Sequence, residues 1–292
     1  MPSPAFSVYV SPARLYPDIW RILVGMVLIV FIAAGFLSLM LVTLYPLVGP
    51  MNYFGFLQKL MFPAEPGPVL FILISFVGLA LGPIIAAPAC HGRSPSTLFG
   101  DRDGFFRCFF LTLAVLIPLF GVAVTIGWQF TDPLSNMPLG DWLRLLPFAL
   151  PLVLVQVSAE ELIFRGYLQQ QLAARFAARW VWMGLPALLF TALHYDPANT
   201  STVWLILGAT GIFALIAADL TERTGNLGAA IGLHFVNNVV ALLILATGET
   251  ITGLALYITP YGASDLNALL PVLGLDCLLL ILAWRLLRAV LD

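Results

Sequence analysis

Two adjacent glutamates, Glu160 and Glu161, precede Arg165 by five and four residues in the run SAEELIFR, and all three stand inside a long apolar stretch. A charged side chain at bilayer depth costs roughly 3 kcal/mol on insertion scales, so each residue retained there demands a functional account. On a helix, Glu161 and Arg165 fall one turn apart with the acid N-terminal, the favourable order for an ion pair. Glu160 points about 100° away and is left without that partner. The spacing leaves two readings of Glu161 and Arg165 open: a clasp between helices, or a support that orients Glu160. In either case one carboxylate is in excess, and a desolvated carboxylate tuned by a neighbouring cation or donor has the chemistry of a general base.

The chain has three histidines. His194 closes an apolar run as FTALH, and His234 opens HFVNN, with Asn238 one helical turn later on the same face. Histidine positions or transfers protons near neutral pH, and an asparagine amide can donate to a developing oxyanion. A lone histidine in an apolar helix is commonly a satisfied core residue; Glu, His and His–Asn on three separate segments are harder to explain that way. His91 follows the second apolar segment in a Gly- and Pro-containing loop and reads as interfacial. Asp219 lies at the end of a segment, where an acid is cheap, and Asp276 has no partner legible in the sequence.

Glu160, His194 and His234 are also the ligand types of a three-ligand zinc site with an open position for water, so glutamate-activated water and metal-activated water both remain open. No HExxH pair is present, and no cofactor is indicated. Cys90, Cys108 and Cys277 share no CxxC spacing and read as packing residues.

The elements that must position these groups are membrane helices. The 292 residues are 61% hydrophobic and 10% charged, with a mean hydropathy of +0.99. A net charge of −2 and the lack of a Lys/Arg cluster exclude a nucleic-acid partner. Residues 1–18, with Pro2, Pro4, Pro12 and Pro17, lack the apolar core of a cleaved signal, so the first span is expected to direct insertion. Eight segments approach span length: 20–48, 69–90, 107–129, 145–168, 180–194, 203–220, 226–247 and 268–287. The fifth is short and contains Pro186.

With that order, Arg14, Arg21, Arg93, Arg102, Arg107, Arg175, Arg179, Arg223, Arg285 and Arg288 share one side against Lys59 and Arg144 on the other. The positive-inside rule then places both termini in the cytoplasm. Glu160 comes out about 12 Å from the cytoplasmic end of its span, His234 about the same, and His194 deeper, about 20 Å from Trp180. The expectation is one all-α polytopic domain over 1–292: a bundle of about eight helices around a polar cavity in the cytoplasmic half, with the site region at 145–247. QQQLAARFAAR (169–179) reads as a short interfacial helix.

Glu160-Glu161-x-x-x-Arg165, Phe190-x-x-x-His194 and His234-x-x-x-Asn238 resemble, in order and span placement, the three motifs of the CPBP family, the CAAX- and bacteriocin-processing intramembrane endopeptidases (type II CAAX prenyl protease-like). The resemblance implies an endopeptidase cutting a membrane-associated protein or peptide. Carried over, Glu160 activates water with His194 assisting, His234 and Asn238 hold the oxyanion, Glu161 and Arg165 orient Glu160, and Phe190 packs behind His194. Zinc dependence stays open under the resemblance as well. The competing classes are a proton-coupled transporter or channel, which requires titratable groups staged through both leaflets, and a non-catalytic scaffold or immunity protein. Substrate and oligomeric state are not encoded legibly.

Overall fold

The computed structural model describes residues 2–197 and 201–291. Six helices are long and apolar enough to cross a membrane: α2 (Ile19–Val48), α4 (Pro66–His91), α5 (Arg102–Thr131), α6 (Leu139–Arg175), α8 (Val203–Thr224) and α10 (Leu266–Val290). Two shorter apolar helices join them, α7 (Trp180–Ala192) and α9 (Gly228–Ile244). All eight apolar segments are therefore helical, but six rather than eight have spanning length. Two further helices, α1 (Pro4–Val10) and α3 (Pro50–Met61), lie outside the long spans. The chain is a multi-pass integral membrane protein.

The outer faces carry apolar residues that lipid would cover, such as Val27, Phe31 and Leu47, and the largely apolar interior also holds polar groups such as Glu161, Arg165 and His234. Polar groups gather inside because hydrocarbon satisfies no backbone or side-chain hydrogen bond. Between apolar helices, association depends on close packing, which small residues permit. Gly78 and Gly82 on α4 face Phe36 and Ile29 of α2, and α9 approaches α5 so closely that a Cβ at Gly228 would overlap the Phe105 carbonyl.

Polar contacts define the two ends of the bundle. At one end Ser3 bonds the Glu222 carbonyl, the Tyr9 hydroxyl donates to the Leu98 carbonyl, Arg93 bonds Gln170, and Arg179 pairs with Asp219 and Glu222. Burial pushes the Arg93 guanidinium down to about 10 and the Tyr9 hydroxyl above its ordinary value. Gly225 ends α8 at φ +66°, a left-handed cap that glycine adopts without penalty. At the other end Asn136 bonds the Thr252 and Ala255 carbonyls, and Thr202 bonds the Ala263 carbonyl. A small sheet of β1 (Leu134–Ser135), β2 (Leu245–Gly248) and β3 (Tyr257–Gly262) closes that end in the order β1-β3-β2. The sequence reading contained no strand.

Two expectations change. Residues 170–175 continue α6 rather than forming a separate interfacial helix, and Gln169, Gln170 and Gln171 are buried, Gln170 donating to the Tyr9 and Thr97 carbonyls and Gln169 to the Ala218 carbonyl. His91 is not in a loop but closes α4 and is fully buried, with Nδ1 on the Tyr16 carbonyl at 2.9 Å and Nε2 on the Tyr167 hydroxyl at 2.8 Å. Cys90 and Cys108 are buried and Cys277 half-buried, all as free thiols.

Candidate active site

α6 and α9 deliver most of the polar groups, and each widens into a π-helical stretch just past them, Leu162–Gln169 in α6 and Val240–Ile244 in α9. Such widenings recur at functional sites because they break the regular register and re-aim side chains. Along their helices Glu160 lies about 22 Å from Arg175 and His194 about 21 Å from Trp180.

Glu161 is fully buried and accepts at one oxygen from Arg165 Nη1 at 2.9 Å and His234 Nδ1 at 2.8 Å. The expected Glu161–Arg165 pair is thus present, and it reaches across to a third element through Arg165 Nη2, which donates to the Ala214 carbonyl of α8 at 2.9 Å. Glu160 remains 14% exposed at its side chain. Its Oε1 accepts from Gln156 at 2.6 Å, and its Oε2 stands 3.7 Å from His234 Nε2, beyond hydrogen-bond reach. Asn238 joins through Gln156, donating from Nδ2 to Gln156 Oε1 at 2.8 Å.

Phe190 is the hub for the third segment. Its ring lies 4.6 Å from that of His194, 6.0 Å from His234 and 5.1 Å from Phe164, and the Arg165 guanidinium sits 4.9 Å above it. Phe213 of α8 packs edge-on to His234 at 4.8 Å. His194 therefore borders the cluster through Phe190 rather than touching Glu160. Its Nδ1 bonds the Phe190 carbonyl at 2.8 Å, and the residue is exposed.

All seven motif residues converge here: Glu160, Glu161, Arg165, Phe190, His194, His234 and Asn238. Gln156 and Phe213 complete the cluster, and the sequence reading passed over both. Gln156 had a signal, as a lone amide one turn before Glu160 in an apolar run; Phe213 had none. Asp219 accepts from Arg179 and Trp284 at the polar end and takes no part, and Asp276 lies on α10 away from the cluster.

The donor types suit zinc, but among the described residues no three His, Cys, Asp or Glu side chains gather as ligands. Glu161 is committed to Arg165 and His234, and the only His nitrogen near Glu160 is the one at 3.7 Å. Beside the cluster lies an apolar cavity of about 360 Å³, lined by Ile117, Phe120, Leu150, Phe235 and Val239 among others.

Residues 142–240, 99 of the 292, match the family described as type II CAAX prenyl endopeptidase Rce1-like. Neither curated proteins nor solved structures give a match to the chain. The matched segment begins just inside α6, ends in α9 and contains every residue of the three motifs, so this third of the chain is similar to the CAAX-processing intramembrane endopeptidases.

Proposed function

We propose that the chain hydrolyses a peptide bond of a membrane-anchored substrate, with Glu160 activating the attacking water. The observation that carries this reading is the inequality of the two glutamates. Glu161 is fully buried and bonded to Arg165 and His234, whereas the Glu160 side chain is 14% exposed and its Oε2 stands 3.7 Å from His234 Nε2, outside hydrogen-bond distance. A base needs a free oxygen directed at the proton it takes.

The same geometry divides the remaining roles. His234 turns Nδ1 to Glu161 at 2.8 Å and Nε2 to the Glu160 side of the cluster. His234 Nε2 and the second N–H of Asn238 then form an oxyanion site on one face of α9. Preorganised donors of this kind lower the barrier because they need no reorganisation as charge develops. His194 Nε2 assists at the rim, in placing water or passing the proton onward. A proton relay across the bilayer would need titratable groups in both leaflets, while Glu160, Glu161 and His234 form one cluster.

The residues present do not gather as a metal set, and no step is assigned to a metal. The excess of basic residues at the end with Arg93, Arg179 and Arg223 supports a cytoplasmic location for that end and for both termini. His234 then sits about 9 Å into α9 from that face. The substrate class is a protein whose C-terminal CAAX cysteine carries a prenyl chain, and the prenyl chain confines it to the bilayer surface.

The test compares membrane proteomes and a panel of prenylated CAAX reporters with wild-type chain and Glu160→Ala. Termini that appear only with the wild type support the reading. Cleavage by both, or by neither, refutes it.

A further inference from the structure

One polar residue of the cluster lies outside all three motifs and still touches two of the groups to which chemistry is assigned. Gln156 stands one helical turn before Glu160 on α6 and is 7% exposed. Its Nε2 donates to Glu160 Oε1 at 2.6 Å and its Oε1 accepts from Asn238 Nδ2 at 2.8 Å. It is the link from the base on α6 to the oxyanion donor on α9.

The chemistry of these groups fixes the direction of every bond in the link. An ionised carboxylate only accepts, so Gln156 must present its NH2 to Glu160. That leaves its carbonyl oxygen for Asn238, which must in turn present NH2. The Asn238 oxygen is then directed to the Asn237 amide, 3.3 Å away. The charge on Glu160 thus sets the polarity of two further amides. One N–H of Asn238 is consumed by Gln156 and the other stays free as a donor. Without the link, the Asn238 amide can turn over and set its oxygen where the oxyanion forms, exchanging a stabilising donor for a repulsive acceptor.

We propose that Gln156 is a positioning residue of the peptidase: it holds the donor face of Asn238 toward the scissile carbonyl and fixes the Glu160 carboxylate beside it. The inference rests on the hydrolytic reading above, and its test separates the two. The full chain in detergent is assayed on a quenched-fluorescent peptide with a farnesylated C-terminal CAAX sequence. Gln156→Met keeps the volume and removes both hydrogen bonds; removing such orienting partners costs roughly tenfold to a hundredfold in activity. The loss is expected in kcat, with KM within about twofold, because Gln156 does not reach the substrate. Because Gln156 acts in part through Asn238, the losses of Gln156→Met and Asn238→Ala should combine to less than their product.

Wild-type kcat in Gln156→Met, or losses that multiply in the double variant, overturns the inference while an inactive Glu160→Ala leaves the hydrolytic reading standing. No cleavage by the wild type overturns the reading and the inference with it. Should Gln156→Met fail to fold, Gln156→Glu carries the test: it keeps the shape and sets a second carboxylate against Glu160, so unchanged kcat there is equally decisive.

Discussion

Replacing Arg165 by Met keeps a long apolar stem and deletes a guanidinium whose side chain is 2% exposed, opposite a Glu161 side chain that is 0% exposed. Three interactions vanish together: the ion pair at 2.9 Å, the hydrogen bond to the Ala214 carbonyl at 2.9 Å and the stacking over Phe190 at 4.9 Å. Removing one partner of a buried pair costs about 3–5 kcal/mol because the other charge stays buried. The orphaned carbonyl adds about 1–3 kcal/mol. His234 still donates to the same Glu161 oxygen and offsets part of this, so the net loss should lie near the low end, about 3–4 kcal/mol. Thermal unfolding of the detergent-solubilised chain should register it as a fall of roughly 6–15 °C. The sharper arm is Arg165→Met combined with Glu161→Gln, which removes the stranded charge and should regain stability over Arg165→Met alone. A single variant within about 1 kcal/mol of wild type, or a double variant that melts lower still, would refute the buried-pair argument.

Phe190→Ala removes a ring that is 2% exposed and meets Arg165, His194 and His234, and should cost about 3–5 kcal/mol along with most activity; a stable, active variant would deny it the role of hub. Gly228→Ala sets a methyl group against the Phe105 carbonyl where α9 crosses α5, and should lower stability by about 1–3 kcal/mol. An unchanged melting temperature would show that the helices part freely there. Zinc assayed in purified wild type and in Glu160→Ala, His194→Ala and His234→Ala should be equal and well below one ion per chain. A full equivalent that any of the three substitutions removes would contradict the assignment of base chemistry to Glu160 alone.

The site was legible because lipid makes its residues expensive: Glu160, Glu161, Arg165, His234 and Asn238 stand out against their neighbours, and helical spacing alone pairs Glu161 with Arg165. What remained hidden depends on neighbours distant in sequence. Gln170 is covered by α1 and the 92–99 segment and Gln169 bonds α8, so a polar run that reads as interfacial is buried. His91 is buried for the same reason, through Tyr16 and Tyr167. The apolar segment expected at 145–168 belongs to a longer helix, Leu139–Arg175, whose end is polar because Gln169, Gln170 and Gln171 are buried in the protein. The strands escaped because each is two to six residues long within a turn-rich segment and pairs with partners more than a hundred residues away in one case.

The central claim is that Glu160 and not Glu161 takes the proton from the attacking water. Glu160→Gln is nearly isosteric and retains an oxygen that can accept from Gln156, so the chain should fold with a wild-type melting temperature. Initial rates on the farnesylated CAAX peptide, taken beside that melting curve, give the answer. The account predicts a folded protein whose kcat falls at least about a hundredfold, the scale of general-base catalysis. A folded Glu160→Gln that cleaves within a few fold of wild type would contradict it.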